Sequence, residues 1–470
     1  MKIFVYPLLM TIVFWMGGCS VGPNKLPDSF AGLDWPNQFG GGNTNAPAGA
    51  GWLADFNDRT LDSLVREALS NNPDLRITAA KLEAAQASLK IAGADLLPSI
   101  SARAASSRTK RNSTSGFKVT SLRSYRHTPS LDLAWELDVW GRLSDTRRAA
   151  RLDAEQAAIN LQGARLSLAA NTAKGWFNLA ETELQTQLAQ QTLKSYTNNL
   201  AVLEEGLKRG LTKVLDVRLM QTSVRNAENT LQLRLRQRDA AGRSLEVLLG
   251  RYPKSEVAVT ATLPSLTNTV PAGLPAQLIE RRPDVLAAQR GYLASHHRVG
   301  SAKKDRLPQI SLTASYGTSS DELKDVLDIN NNIWSLASNL TMPIFDAGKI
   351  KSQIKRAEAL REQAKYQYVQ TTLQAFSEVE TTLAAETFLN QQEKALRGAV
   401  TEATGAESLA QEDYLAGLTD LITVLEAQRR VFDAKRSLIE IQNLRLQNRI
   451  DIYLALGGEF SKPEPKAETE

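Results

Sequence analysis

The chain has 470 residues, of which 42% are hydrophobic, 23% charged and 6% aromatic, and its formal net charge is +5. The basic residues are scattered along the chain, so this charge does not indicate a nucleic-acid-binding protein. A single cysteine excludes an intramolecular disulfide and a cysteine-based metal cluster. The adjacent His296 and His297 would point in different directions on a helix, and we expect them to be solvated surface residues.

The first 18 residues read as a secretory signal, with Lys2, an apolar segment over 3–15 and small residues before Cys19. The segment resembles a bacterial lipoprotein signal, which implies that Cys19 is acylated and becomes the mature N-terminus. Serine at position 20 then resembles the sorting signal of an outer-membrane lipoprotein. The alternative is an ordinary buried cysteine beside an ordinary signal peptide. Residues 20–51 form a Gly-, Pro- and Asn-rich tether without periodicity.

An internal repeat organises the remainder of the chain. Five short segments recur in the same order at a nearly constant interval, which predicts two copies of one unit. The corresponding segments are Asn72-Pro73-Asp74-Leu75 with Arg282-Pro283-Asp284-Val285, Leu97-Pro98 with Leu307-Pro308, Gly141-Arg142 with Gly348-Lys349, Gly210-Leu211-Thr212 with Gly417-Leu418-Thr419, and Leu249-Gly250 with Leu456-Gly457.

Each copy begins with a helical segment, over 61–96 and 276–305, that ends before a proline. A long helix over 142–208 or 349–416 follows the strands, and each would be on the order of 100 Å long. Small and apolar residues recur along these helices and their partners at spacings of three and four. Such heptads predict coiled packing of helices, as in a closed ring.

Two strands are predicted between the helices of each copy. Tyr125, Leu131 and Leu133 alternate with polar residues such as Asp132 and Glu136, which places one face in an apolar medium and the other in water. Polar loops are expected near 113–120 and 319–332. Strands of this length can cross a bilayer when tilted. The alternative is a soluble sheet covered by helices.

The signal with Cys19, the duplicated strand–helix unit and the Gly-Leu-Thr turns together resemble the outer membrane factor (TolC-like) family. The start at Cys19-Ser20-Val21-Gly22-Pro23 is similar to its OprM-like, NodT-type efflux lipoprotein branch. The resemblance implies a mainly α fold with a membrane β-barrel portion. Three chains would each contribute four strands to a twelve-stranded outer-membrane barrel, and their long helices would form a periplasmic α-barrel tunnel. Four strands alone cannot close a barrel, because the smallest known membrane barrels need about eight.

The function implied is an outer-membrane exit duct that passively exports drugs or other small toxic compounds. The implied partners are two further copies in a homotrimer, a periplasmic adaptor (membrane fusion protein), a proton-driven inner-membrane pump of the RND type, and outer-membrane lipid. No nucleotide-binding loop or nucleophile–base pair is present in the sequence, so we expect neither an enzyme nor a metal or other cofactor beyond the lipid on Cys19. The alternatives are a type I protein-secretion channel and a periplasmic coiled-coil lipoprotein that forms no channel.

The resemblance also implies that the functional residues lie where the long helices turn, at the periplasmic end. A ring of Asp420 from three chains would concentrate negative potential in a narrow opening, whereas in the alternative reading Asp420 only caps the returning helix. The gate candidates are Leu418, Thr419, Asp420 and Leu421. The candidate contacts of the adaptor are Gly210, Leu211, Thr212, Lys213 and Gly417.

The predicted division of the chain follows these features. It comprises a signal peptide (1–18), a lipidated tether (19–58), a first repeat (59–250, strands about 98–140), a linker (251–275), a second repeat (276–460, strands about 308–345) and a disordered tail (461–470).

Overall fold

The computed structural model describes residues 52–266 and 281–458. The predicted signal peptide, Cys19, the tether up to residue 51 and the tail lie outside the described residues. The helices and strands, in chain order, are α1 (Arg59–Asn71), α2 (Pro73–Ala94), β1 (Ser99–Ser115), β2 (Lys118–Leu137), α3 (Arg142–Lys208), α4 (Val214–Leu248), α5 (Pro283–Lys304), β3 (Gln309–Thr318), β4 (Asn332–Thr341), α6 (Lys349–Leu415) and α7 (Leu421–Ala455).

The two copies have helices of equal length. Both α3 and α6 contain 67 residues, and both α4 and α7 contain 35 residues. At 1.5 Å per residue, the longer pair extends about 100 Å. From α2 in the first copy and α5 in the second, the order of elements, a helix, two strands, a long helix and a shorter helix, is therefore the same, as the repeated sequence segments predict.

The first helical segment differs from its prediction. Residues 61–96 were expected to form one helix, but the structure has α1 and α2, separated at Asn72. Proline at position 73 favours an extended residue before it, and Asn72 has φ −61° and ψ 127°. The Asn72 side chain then accepts hydrogen bonds from the backbone N–H groups of Asp74 (2.9 Å) and Leu75 (3.1 Å), so it caps α2.

The four strands form one antiparallel sheet in the order β1-β2-β3-β4. Leu133 pairs with Ile100 on one side and with Ala314 on the other, so these residues share an apolar face. On the opposite face the Ser315 hydroxyl donates to Asp132 at 2.6 Å. The alternation read from the sequence therefore corresponds to one apolar and one polar face.

The two hairpins differ in length. The prediction of a polar loop over 113–120 is wrong, because β1 and β2 remain paired from Ser99 to Ser115 and turn through Gly116 and Phe117 alone. Gly116 has φ 61°, a conformation that short hairpin turns require. The second hairpin has strands of ten residues and a longer connection between Thr318 and Asn332.

A glycine directly precedes each long helix, and an acidic residue lies two or three positions before that glycine. Gly141 and Gly348 have φ 75° and 84°, which suits the sharp change from strand to helix. The N–H of Leu143 donates to Asp138 at 2.9 Å. In the second copy Asp346 accepts a bond of 2.7 Å from the first turn of α6. A carboxylate at this end of a helix is stabilised by the helix dipole.

The chain divides into two compact units. The first comprises Ala85–Ala154 and Arg290–Tyr366 and contains the whole sheet. The second comprises the described parts of Trp35–Ala84, Glu155–Gln289 and Gln367–Glu470. Each unit takes segments from both sequence copies. The fully buried side chains of the second unit include Phe177, Leu245, Tyr368 and Ile450.

A polar cluster lies in the first unit. The side chain of Asp145, which is 3% exposed, accepts from Lys304 Nζ at 2.6 Å and lies 3.2 Å from His297 Nδ1. His296 is half-buried against the ring of Tyr292, with centroids 4.7 Å apart, and burial lowers its pKa. The expectation of two solvated histidines is therefore wrong, because α5 turns both toward neighbouring side chains.

Among the described residues, no helix combines the length and the apolar character needed to cross a membrane.

Candidate functional site

The two turns between paired helices have the same backbone geometry. Gly210 follows α3 with φ 73° and Gly417 follows α6 with φ 74°. The N–H of the next residue, Leu211 or Leu418, donates back to the last turn of its helix at 2.8 Å in both cases. This is the Schellman motif, which satisfies carbonyls left free at the end of a helix and favours glycine at the left-handed position. The repeated Gly-Leu-Thr segments encode it.

The turns present apolar side chains to their surroundings. Leu211 is 80% exposed and Leu418 is 77% exposed. Gly210, Lys213 and Gly417 are exposed as well, while Thr212 and Thr419 are half-buried. Contiguous exposed apolar side chains are typical of interaction surfaces, and each turn contributes one such leucine. All the residues predicted to contact the adaptor thus lie at the two turns, and their backbone is held by hydrogen bonds.

The helices that follow the turns start differently. The Asp420 side chain caps α7 by accepting from the Thr423 N–H at 3.1 Å and from the Thr423 hydroxyl at 3.0 Å. The bonds from Thr423, with the nearby positive charge of Lys213, hold the pKa of Asp420 below its ordinary value. Lys213 occupies the equivalent position of α4 and makes no side-chain capping bond. Asp420 therefore has the capping geometry, and its exposed carboxylate remains ionised.

Leu421 lies apart from the other gate candidates. It is 5% exposed and packs in a cluster with residues of α3 and α4, including Leu203, Val217 and Met220. The ring of Tyr196 meets that of Phe432 edge-on in the same cluster, with centroids 5.8 Å apart. The cluster joins α3, α4 and α7 behind the turns. Leu418, Thr419 and Asp420 stay at the surface of the turn, whereas Leu421 anchors the start of α7.

A network of ion pairs joins α6 and α7 and was not predicted from the sequence. Arg445 bonds to Glu393 and, at 3.1 Å, to Glu386. Arg397 bonds to Glu393 at 2.5 Å and Arg449 to Glu386 at 3.1 Å. Burial raises the pKa of Glu393, but the hydrogen bonds from Arg445 and Arg397 outweigh it and hold that pKa below its ordinary value. Glutamates seven apart facing arginines four apart were the available signal.

A second cluster closes the ends of the paired helices. The Arg282 side chain, 8% exposed, donates to the carbonyl of Ala455 at 3.1 Å and to Asp284 and Glu378 at 2.7 Å each. At the equivalent position of the first copy, Asn72 donates to the carbonyl of Leu248 at 2.9 Å. The sequence marked both residues as members of a repeat, but except for Asp284 their partners lie far away along the chain, where no local pattern indicates them.

The described residues offer no cation site of three or more histidine, cysteine or acidic side chains. The polar clusters are pairs of acids with arginine or lysine, in which the charges already satisfy one another. At the turns the exposed groups are the charges of Asp420 and Lys213 and the apolar side chains of Leu211 and Leu418.

Comparison with known proteins extends over almost the whole chain. The family model described as "Outer membrane efflux protein" matches residues 64–251 and 274–458. The chain is 29% identical to the cation efflux system protein CusC of Escherichia coli O6:H1, covering 94% of this chain and 96% of that protein. It is 32% identical to the toluene efflux pump outer membrane protein TtgI of Pseudomonas putida, covering 97% and 98%.

A solved structure shares the fold. The crystal structure of a membrane protein from Pseudomonas aeruginosa superposes with a TM-score of 0.85 at 30% sequence identity, and the match covers 94% of this chain and 98% of that one.

Proposed function

The chain belongs to the outer membrane efflux protein family, and on that premise we propose that it is the outer-membrane exit duct of a tripartite efflux system. Drugs or other small toxic compounds, delivered from the inner membrane, would leave the cell through it. Membership confirms the predicted fold class, the outer-membrane location and the absence of an enzymatic role. The relatives named for cation and toluene efflux belong to the same family.

The open sheet carries the proposal. Among the residues that the structure describes, strands β1 and β4 each have one unpaired edge, and an unpaired edge is unstable in the hydrocarbon of a membrane. Four strands are about half of what the smallest membrane barrels contain, so several copies must join edge to edge. We propose a homotrimer whose twelve strands close the barrel and whose long helices form the tunnel.

The partners proposed for the duct are a periplasmic adaptor and a proton-driven inner-membrane pump of the RND type. The exposed leucines of the two turns support this assignment, because they give an adaptor an apolar contact at the end of the helices. The adaptor would touch Gly210, Leu211, Thr212, Lys213 and Gly417. The described residues contain no recognisable energy-converting site, so the inner-membrane pump would supply the energy for export.

We further propose that Cys19 carries the lipid that anchors the mature N-terminus. The sequence around it supports the proposal, since a lone cysteine follows an apolar segment and two glycines. Several acyl chains stabilise anchoring by about 0.8 kcal/mol per buried CH₂. Metabolic labelling with radioactive palmitate should mark the wild-type chain and leave Cys19→Ser unlabelled. Equal labelling of both chains would rule the anchor out.

The duct assignment is tested by deleting the encoding sequence from its host and restoring it on a plasmid. Deletion should raise sensitivity to several unrelated small toxic compounds, and the plasmid should reverse it. Outer-membrane fractions should contain a trimer that dissociates on heating. A monomer in soluble or inner-membrane fractions, with unchanged sensitivity, would overturn the proposal.

The gate proposal places the exposed carboxylate of Asp420 at the narrow end of the tunnel. Asp420→Asn removes the charge and keeps a side chain that can cap α7. In planar bilayers we expect it to lower the preference for cations, because a ring of three charges is lost. Lys213→Gln serves as the control with a charge change at the neighbouring turn. Unchanged selectivity in Asp420→Asn would remove Asp420 from the gate and leave it as a cap.

A further inference from the structure

The hairpin of β1 and β2 extends well beyond the rest of the sheet. β2 pairs with β3 only between Ser130 and Leu137, with one isolated bridge from His127 to Ser320. Residues 107–126 therefore form a two-stranded ribbon whose strands pair only with each other. The ribbon carries features that the export function does not use.

The ribbon and the strand ends that support it contain basic residues and no acid. Between Ser99 and Ser130 the sequence has no aspartate or glutamate. The connection between β3 and β4 is opposite in character, because it contains four acidic residues and one lysine. In the hairpin, all basic side chains that the structure describes are exposed. They are Arg103, Arg108, Lys110, Arg111, Arg123 and Arg126.

The register divides these basic residues between two faces. Arg108 pairs with Tyr125, and its guanidinium lies 5.0 Å from the centre of that ring. Lys110 pairs with Arg123. Because side chains two residues apart share a face, Arg108, Lys110 and Arg123 lie on the same face as Leu131. Arg103, Arg111 and Arg126 lie on the opposite face, the one that carries Asp132.

The first of these faces changes in character along β2. Leu137, Leu133 and Leu131 come first, His127 and Tyr125 follow, and Arg123 lies beyond them. At about 3.4 Å per residue, the distance from Leu137 to Tyr125 is about 40 Å along the strand. With a tilt of about 40°, this corresponds to about 30 Å of depth, slightly more than the apolar band of about 25 Å of such barrels. Tyr125 thus falls at the interface, where aromatic side chains concentrate.

We propose that Arg108, Lys110 and Arg123 form a binding surface for the phosphate groups of anionic lipid headgroups in the outer leaflet. The three side chains lie just outside the apolar band, on the face that meets lipid. Their charge is complementary to phosphate, and no carboxylate of the hairpin competes for them. The inference rests on the proposed function in one respect, since it requires the sheet to cross the outer membrane.

The test compares two variants of the full-length protein that each lose three positive charges from the same hairpin. Arg108→Ser/Lys110→Ser/Arg123→Ser changes the lipid-facing set, and Arg103→Ser/Arg111→Ser/Arg126→Ser changes the opposite set. The detergent-solubilised trimer is titrated with bis-phosphorylated lipid A, and bound lipid is counted by native mass spectrometry. The enzymatically dephosphorylated glycolipid and inorganic phosphate serve as the comparison ligands.

The lipid-facing variant should bind lipid A about 100-fold more weakly, at a factor of about five for each basic side chain lost from an anionic surface. The matched variant should stay close to wild type, and dephosphorylation should abolish the difference. Equal losses in both variants, or none in either, would overturn the inference. Displacement of the lipid by inorganic phosphate would indicate a site for a soluble anion instead.

Loss of the trimer in the lipid-facing variant alone would assign these residues to a contact with a second copy, and would also overturn the inference. The lipid titration does not depend on export. A wild-type trimer that exports normally and fails to bind lipid A therefore refutes the lipid surface and leaves the duct assignment intact.

Discussion

The two copies of the repeated unit agree in their helices and differ at their ends. Their long helices have the same length, 67 residues each, and both turns close with the same motif. The copies diverge in the hairpins, in the residue that starts α7 or α4, and in the residue that closes the helix ends. Packing along a helix must be continuous with its neighbours, so its length is fixed, whereas the ends meet different surroundings in each copy.

Asn72 and Arg282 show how the same task is done in two ways. Each donates to the carbonyl of the last residue in the final helix of its copy, Leu248 of α4 or Ala455 of α7. Asn72 also caps its own helix with the oxygen of its amide. Arg282 has no acceptor atom, and it is instead tied to Asp284 and Glu378. The second copy therefore uses charge where the first uses a neutral amide.

The largest effect is expected from this pair. Arg282→Met should destabilise the protein by about 2–3 kcal/mol, because it leaves the Ala455 carbonyl without its side-chain donor and removes the guanidinium shared by two half-exposed carboxylates, whose contribution is reduced by solvent. Asn72→Ala should cost about 1–2 kcal/mol, the value of a lost cap and one hydrogen bond. Urea unfolding of the purified protein followed by circular dichroism measures both. Equal urea midpoints for the two variants would mean that the charge of Arg282 gives no more stability than the neutral amide of Asn72.

The ion pairs of α6 and α7 give a pH-dependent contrast with α3 and α4. The pKa of Glu393 lies below its ordinary value of 4.5, so its contribution is complete above that value and is lost as the pH falls through the lower folded-state pKa. Glu393→Gln should therefore destabilise the protein at pH 7 and flatten the loss of stability in acid. The measurement is the thermal midpoint between pH 7 and pH 3.

Glu183→Gln is the control for this prediction in the first copy. Glu183 bonds to a single arginine, Arg238, whereas Glu393 faces both Arg445 and Arg397. The loss of stability at pH 7 and the change in its pH dependence should consequently be smaller in Glu183→Gln than in Glu393→Gln. An equal or larger effect there would contradict the view that the second copy is held by charge to a greater degree.

The smallest effect is expected at the starts of α4 and α7. Asp420→Ala should weaken the start of α7 by removing its cap. Lys213→Asp should stabilise α4 by a similar or smaller amount, because it supplies a cap and a negative charge that suits the helix dipole. Hydrogen exchange of the amides in the first turns reports both. Faster exchange at α4 in Lys213→Asp would show that this turn needs its lysine.

The sequence was sufficient for the features that repeat or alternate. Heptad spacing predicted the helix α3 over 142–208, where the structure has it. Period-two alternation predicted the strand β2 and which of its side chains form the apolar face. The ribbon over 107–126 was missed because most of its residues lie beyond the apolar band, so no alternation of apolar and polar residues is imposed on it. The basic residues of that ribbon appeared scattered for the same reason, since they are adjacent only across the strands.

The candidate site was predictable in position and less so in detail. Gly210 and Gly417 mark the turns in the sequence, because a left-handed residue at a helix end favours glycine. The burial of Leu421 could not be read in the same way. It depends on α3 and α4 passing beside α7, and a leucine at the first position of a helix suits either surface or core. The partners of Arg282 and Arg445 likewise depend on how distant helices meet.

The two open edges of the sheet have a consequence for biogenesis. Within residues 52–266 and 281–458, β1 and β4 lack a neighbour on one side, so a single chain placed in the bilayer would leave two rows of backbone groups without hydrogen bonds in hydrocarbon. Such a monomer has no stable inserted state. Insertion and subunit association are then one event. A chain with a substitution that disrupts either edge would accumulate in the periplasm, where proteases would degrade it.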